Sequence, residues 1–172
     1  MTRIADRILV AVLALAAASV CWGGQEVQEL QDPNFILVKT LVVPAAAGWV
    51  DTGIDLAQGD EILVKARGEI TLQRNNPAAV CGPGGIDIMT RQQPIPDRNI
   101  GALIGKVAQL ISVKIDEDTG EEIRDEIVAF VFLGVENDVM APIKGRLYLG
   151  INETVIKDNA GEFTASIYRR RT

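Results

Sequence analysis

Short apolar runs alternate with turn-forming residues from residue 35 to residue 170, and this spacing restricts the possible fold more than any other feature of the sequence. Gly, Pro, Asn and Asp interrupt the apolar runs about every ten residues. Almost no segment has the periodicity of an amphipathic helix, and about eight strands are predicted. The pattern predicts an all-β domain, either a β-sandwich or a jelly roll.

The predicted strands differ in how much of each is expected to be buried. In chain order they cover residues 35–43, 49–56, 61–66, 69–72, 101–115 and 127–134, followed by the two halves of a hairpin within 145–163. The fully apolar run 127–134 is typical of a central strand. We expect Trp49 in the core, a bulge or sharp bend at Gly68, and a turn at 136–138.

The first 24 residues have the layout of a secretory signal peptide. Arg3 and Arg7 precede about thirteen apolar or small residues, and further small residues follow. This run is shorter than the roughly 20 residues that a transmembrane helix needs. We therefore predict a secreted or periplasmic protein without a transmembrane segment.

The end of the predicted signal peptide is compatible with two kinds of processing. Cleavage after Ala18 or Gly23 fits the preference for small residues. The alternative is lipid attachment at Cys21, as in lipoproteins. In either case residues 25–34 are predicted to be a polar lead-in to one domain at 35–172.

The absence of histidine excludes several chemistries. Ser-His-Asp and Cys-His catalysis and the usual histidine-containing zinc sites all need an imidazole. A hydrolase with two carboxylates stays open, but no spacing identifies such a pair, and we predict that the chain is not an enzyme. A bound metal would be held by oxygen atoms, which favours calcium or magnesium.

The charge balance argues against a nucleic-acid partner. Lys and Arg number 17 and Asp and Glu 23, giving a net charge of −6. Removal of residues 1–24 takes away two arginines and one aspartate, so the net charge becomes about −7. Binding to phosphates needs clustered Lys and Arg, and the one cluster, at 169–171, is typical of a solvated terminus. The sequence does not indicate an oligomeric state.

Two segments are rich in oxygen-bearing side chains. Residues 116–126 superficially resemble a calcium loop, but positions six and twelve counted from Asp116 hold Glu121 and Ile127 instead of the Gly and Glu of an EF-hand. This segment is predicted to be a solvated hairpin tip. The other segment is the loop inside 145–163, which carries Asn152, Glu153, Asp158 and Asn159. Such a loop is either a cation site or a turn stabilised by its own Asx side chains.

Several short motifs follow one another in one order along the chain. They are Trp49-x-Asp51-Thr52-Gly53-Ile54, Gly59-Asp60, Ala66-x-Gly68, Gly82-Pro83-x-Gly85, Leu103-Ile104-Gly105-Lys106, Gly145-x-Leu147-x-Leu149-Gly150-Ile151-Asn152 and Asp158-Asn159-x-Gly161-x-Phe163. In this order they resemble the PA-I-type calcium-dependent, galactose-binding lectins over residues 35–170. The resemblance implies a galactose-binding-domain-like β-sandwich that binds a galactoside or another glycan.

The resemblance also implies a calcium site. Its side-chain ligands would be Glu153 and the consecutive pair Asp158 and Asn159. A backbone carbonyl near Leu72 and another near Val155 or Ile156 would complete the protein's share of the ligands. Calcium takes roughly six to eight oxygen ligands of this mixed kind. In these lectins, sugar hydroxyls occupy the remaining coordination positions.

The sugar side of the implied site departs from the family. Glu153 and Asp158 would lie next to the sugar, with Pro83 and Asp87 contributing from the glycine-rich loop. The family usually has Asp where this chain has Glu153, and it uses a histidine that this chain lacks. The alternative reading is a noncatalytic envelope or periplasmic interaction domain that kept the sandwich and lost sugar binding.

Overall fold

The computed structural model describes residues 33–171, so the predicted signal peptide and most of the predicted lead-in lie outside the described residues. The described part contains nine strands and one 3-10 turn. The strands are β1 (Phe35–Pro44), β2 (Val50–Leu56), β3 (Glu61–Thr71), β4 (Val80–Cys81), β5 (Leu103–Ile115), β6 (Glu122–Phe132), β7 (Glu136–Met140), β8 (Gly145–Ile151) and β9 (Ala160–Arg170), and the 3-10 turn Pro77–Ala79 precedes β4. Within residues 33–171, no helix is long and apolar enough to cross a membrane.

The strands form two antiparallel sheets. The first has the order β1-β9-β3-β4, with β7 also paired to β3, and the second has the order β2-β8-β5-β6. Alternate side chains of the two sheets meet in a shared core, to which β9 contributes Phe163 and Ile167, β5 contributes Val107, and β8 contributes Leu147 and Leu149. Burying such a side chain contributes about 1.5–3 kcal/mol. The predicted all-β sandwich is confirmed.

The prediction that 127–134 is a central strand is wrong. This run falls mostly in β6, which has β5 as its one strand neighbour among the described residues and forms an edge of its sheet. Ile127 and Phe130 are exposed, and Leu133, just after the strand, is buried. An apolar run indicates favourable burial, but it does not say whether a second strand will lie alongside.

Trp49 also lies elsewhere than predicted. Its ring is half-buried on the outer face of the second sheet, where it stacks on Phe130 with 5.6 Å between ring centroids. The ring lies against the backbone of Gly150, where an added Cβ would be 2.8 Å from it. The absence of a side chain at that position therefore makes room for the indole outside the core.

The predicted turn at 136–138 is wrong. These residues are part of β7, which pairs with β3 from Glu136 opposite Lys65 onward.

The predicted bulge at Gly68 is also wrong, because β3 runs through this residue with an unbroken register against β9. Gly68 has a positive φ of 118°, and an added Cβ would lie 2.5 Å from the carbonyl oxygen of Glu162. The glycine allows two paired backbones to approach closely.

The predicted hairpin tip is found between β5 and β6. The Asp116 carboxylate accepts hydrogen bonds from the backbone N–H groups of Asp118 and Thr119, at 2.9 Å each. These bonds, that of Thr119 foremost, lower the pKa of Asp116. The tip is thus stabilised by its own Asx turn.

Gly161, at the start of β9, allows a second close approach between β3 and β9, like the one at Gly68. Its φ is +86°, and an added Cβ would lie 2.5 Å from the carbonyl oxygen of Glu69 on β3. Gly161 lies one residue into the strand that follows the loop 152–159. The close β3–β9 approach therefore fixes where this loop rejoins the first sheet.

We expect Gly161→Ala to lower the free energy of unfolding by about 2–3 kcal/mol, since it combines a left-handed backbone with a steric clash. Gly59→Ala is the matched control, because Gly59 has a similar φ of +88° and nothing within 4 Å of an added Cβ. It should cost only about 1 kcal/mol. Urea unfolding of both variants measures the difference, and equal losses would contradict the role of the close approach.

Candidate functional site

The loop between β8 and β9 brings together four side chains that the sequence singled out. Asn152 and Asn159 are fully buried, Glu153 is half-buried, and Asp158 is exposed. The loop contains two buried amides and a pair of carboxylates at one end of the sandwich. Burial of Asn is unusual unless its polar atoms find partners.

Asn159 is hydrogen-bonded through one end of its amide. Its Nδ2 donates to Oε2 of Glu153 at 2.8 Å and to the carbonyl oxygen of Ala45 at 3.2 Å. Its Oδ1 is buried and has no hydrogen-bond partner among residues 33–171. Leaving a buried acceptor unpaired costs about 1–3 kcal/mol. Within the described part of the chain, this oxygen therefore lacks a donor or cation that would offset the cost of its burial.

The environment of Glu153 disfavours its ionised form. Burial raises the pKa of this carboxyl, the hydrogen bond from Asn159 partly offsets that rise, and the negative charge of Asp158 adds to it. A cation bound beside Glu153 would offset the effect of burial, because it replaces the lost hydration of the carboxylate. It would also offset the repulsion from Asp158, because it neutralises the two carboxylates. The electrostatics of the loop thus favour a cation.

Cys81 in β4 lies near this carboxylate and is a free, buried thiol. Burial, with smaller effects from the charges of Glu153 and Glu69, raises the pKa of Cys81 to about 11. The thiol is neutral at neutral pH, whereas metal ligation needs the thiolate. Within residues 33–171, no three or more Asp, Glu, Cys and His side chains are grouped so that they could hold a metal. A cation here would need amide and backbone oxygens as well.

The loop after β3 lies beside the loop 152–159. The backbone N–H of Arg74 donates to the carbonyl oxygen of Asp158 at 3.2 Å. The backbone N–H of Leu72 donates to the carbonyl oxygen of Ala79 at 2.9 Å. Leu72 is buried where β3 ends, and Val155 is exposed in the loop 152–159. The backbone bond from Arg74 ties the two loops together, and the roles of the Leu72 and Val155 carbonyls stay predictions.

Pro83 and Asp87 lie on the long connection between β4 and β5. Pro83 is buried, and its carbonyl oxygen accepts a hydrogen bond from the N–H of Leu103 at 2.9 Å. Asp87 is exposed, and among the described residues no hydrogen bond or ion pair joins it to the loop 152–159. The structure brings Glu153, Asp158 and Asn159 together; contact of Pro83 and Asp87 with a ligand stays a prediction.

Asn152 has a role that the sequence did not reveal. Its Oδ1 accepts from the N–H of Ile95 at 2.9 Å, and its Nδ2 donates to the carbonyls of Ile95, Arg98 and Asn99 at 3.0, 3.3 and 3.1 Å. Nearby Gln93 is buried, and its Nε2 has no partner in the described part of the chain. Asn152 thus anchors the long connection next to the candidate cation loop.

We expect Glu153→Gln to make the metal-free protein more stable at neutral pH, since a buried amide still accepts from Asn159 without carrying charge. Because the folded-state pKa of Glu153 is raised, its stabilising contribution is complete below the ordinary glutamate pKa and is lost as the pH rises through the raised value. Urea unfolding in EDTA from about pH 4 to pH 8 should show this decline in the parent protein and a smaller one in the variant.

The control for this experiment is Glu162→Gln, which neutralises an exposed glutamate on β9. Its pH profile should follow that of the parent protein. If Glu153→Gln also follows the parent profile at every pH, the electrostatic account of the loop is wrong.

Asn152→Ala should lower the free energy of unfolding by about 2–4 kcal/mol, because three carbonyls and one N–H of the long connection lose their partner. Amide hydrogen exchange should show faster opening at residues 93–99 than elsewhere. Asn152→Asp keeps the acceptor for Ile95 and removes the donors, so it separates the two halves of the contact. Unchanged exchange at 93–99 in Asn152→Ala would contradict the anchoring role.

Comparison with known proteins identifies a shared fold. No protein-family model matches the chain, and no curated protein matches it. A solved structure described as "EclA N-terminal domain; PllA-like lectin" is similar to it with a TM-score of 0.53 and 24% identity, covering 78% of this chain and 98% of that chain. The chain therefore shares its β-sandwich fold with a PllA-like lectin domain.

Proposed function

We propose that this protein is a secreted, noncatalytic lectin-like module that binds a galactoside or related glycan at a calcium ion held by the loop 152–159. The observation that carries the proposal is the contact between Glu153 and Asn159. It joins a half-buried carboxylate, destabilised when ionised, to a buried amide whose Oδ1 has no partner in residues 33–171. The fold shared with a PllA-like lectin supports the sugar part of the proposal.

The oxygen donors of the loop suit calcium in type and charge. Glu153 and Asp158 supply two negative charges, and Asn159 supplies a neutral oxygen. Calcium accepts such mixed oxygen sets and tolerates irregular geometry, whereas magnesium needs a near-ideal octahedron. The backbone carbonyls of Leu72 and Val155 are the proposed further donors. When bound, the ion would offer its remaining coordination positions to sugar hydroxyls.

The residues of the loop have separate tasks in this proposal. The hydrogen bond from Asn159 to Oε2 orients the Glu153 carboxylate. The exposed Asp158 adds charge at the loop's surface, and its backbone carbonyl is fixed by Arg74. Burial excludes water around Glu153, which strengthens its attraction for a cation. These contacts would lower the entropy cost of ordering the loop when the ion binds.

The adjacent long connection would form the rim on which the sugar rests. Asn152 fixes this connection, which carries Pro83, Asp87 and the buried Nε2 of Gln93, an atom with no partner among residues 33–171. A fixed rim lowers the entropy cost of ligand binding. Because the chain has no histidine, the sugar contacts here must be made by other donors and acceptors.

Isothermal titration calorimetry on the EDTA-treated full chain tests the proposal. Calcium chloride should give a saturable heat, and magnesium chloride should give little. Glu153→Gln should weaken calcium binding at least about 100-fold, because it removes a charged ligand. Asp138→Asn is the matched control, since it neutralises an exposed carboxylate on β7, outside the proposed site, and should leave calcium binding unchanged.

Galactose and methyl galactosides are then titrated into the calcium-loaded protein. Heat that disappears with EDTA supports sugar binding through the ion. The absence of calcium heat in the parent protein would overturn the mechanism. Calcium heat without any glycan heat would favour the alternative of an interaction domain that has lost its sugar site.

A further inference from the structure

The strand β6 is the longest free sheet edge in the described part of the chain. Of the other edges, β4 has two residues, β7 five and β2 seven, and β1 is interrupted by a register shift at Leu37/Lys39. β6 has eleven residues and contains neither Pro nor Gly. The register shift in its pairing with β5 comes from an extra residue on β5, Ile111, so the bulge is not on β6. Bulges and short lengths are devices that prevent edge pairing, and β6 lacks them.

Seven of the eleven side chains of β6 are apolar, and four of these seven are substantially exposed. Ile123, Ile127, Val128 and Phe130 are 48%, 52%, 39% and 42% exposed. On the neighbouring β5, Ile115 is 59% exposed. Ile123 and Ile127 lie on one face of the sheet and Val128 and Phe130 on the other, so a strand added at this edge would contact apolar side chains on both faces.

The sequence of β6 is compatible with itself in one antiparallel register. Ile127 is the midpoint of Glu122–Phe132, so pairing about a two-fold axis at Ile127 uses all eleven residues. In that register Ile127 faces its own copy, and no charged residue faces another. An axis at Asp125 or Glu126 would instead place identical carboxylates opposite each other, which is destabilising.

The same register places Glu122, which pairs with Arg124 of its own strand at 3.1 Å, near Arg98 of the other copy at both ends of the strand. Glu122 of one copy would face Phe132 of the other, and the guanidinium of Arg98 lies 5.0 Å from the centroid of that ring. Arg98 forms no ion pair within residues 33–171. Next to Phe132 is a groove of about 570 Å³ whose lining includes both Arg98 and Glu136. In the proposed register the acidic hairpin tip of the second copy would extend toward this groove.

We propose that two copies of this chain pair through β6, antiparallel about a two-fold axis at Ile127, and join their four-stranded sheets into one continuous sheet. Backbone hydrogen bonds along the edge provide the attraction, as in other cases of strand addition. The apolar side chains of β6 and the Glu122–Arg98 contacts fix the register. The dimer does not depend on the proposed calcium site, and it would carry two copies of that site.

Sedimentation velocity of the full chain from about 1 to 500 µM tests the pairing, a range that covers weak dimers. We expect a concentration-dependent dimer. Ile127→Lys would place two ammonium groups opposite each other and should weaken the dimer at least about tenfold. Ile36→Lys is the matched control, because Ile36 is equally exposed, at 52%, but lies on β1 in the other sheet. Circular dichroism confirms that both variants are folded.

A parent chain that stays monomeric over this range overturns the proposal, and so does a dimer that Ile127→Lys leaves unchanged. Disulfide trapping then tests the register. Ile127→Cys should cross-link with itself, since facing Cβ atoms lie about 4.5–5.5 Å apart. Ile123→Cys should not, because its two copies would be about 27 Å apart, but it should cross-link with Val131→Cys when the two are mixed. Peptide mapping identifies the linked positions, and efficient Ile123→Cys self-linking contradicts the register.

Discussion

The antiparallel ladder between β3 and β9 is the constraint on which the rest of the sandwich depends. It runs over ten residue pairs, from Ile62 opposite Arg169 to Thr71 opposite Ala160. Two glycines, Gly68 and Gly161, allow the backbones to approach closely near its end. Both strands bury side chains in the shared core, so the ladder couples backbone pairing to hydrophobic burial. The position where it stops fixes Leu72 on one side and Asn159 on the other.

The candidate site combines this rigid frame with a local electrostatic cost. Glu153 is placed where burial and a second carboxylate disfavour its charge, and Asn159 has one buried oxygen without a partner in the described part of the chain. Features that lower stability without helping to pack the core often indicate a ligand site. Asn152 anchors the neighbouring connection, and this also indicates a ligand site, since a binding rim benefits from a fixed backbone.

The sequence predicted the parts of the fold that depend on local pattern. Alternation and turn residues predicted the two-sheet class and most strand positions, and the loop 152–159 was singled out by its oxygen-bearing side chains. The edge position of Ile127 and Phe130 was missed because an apolar run carries no information on which strands will be neighbours. Gly68 was assigned to a bulge because its close contact with β9 is made across the sheet. The buried state of Asn152 and Asn159 depends on carbonyls and carboxylates distant in the chain, which no local pattern shows.

A crystal structure of the calcium-loaded protein would show whether the loop 152–159 binds calcium. We expect one ion coordinated by oxygens of Glu153, Asp158 and Asn159, with an Oδ1–calcium distance of about 2.3–2.6 Å. Density for a water molecule at that position, or calcium bound only elsewhere on the protein, would contradict it.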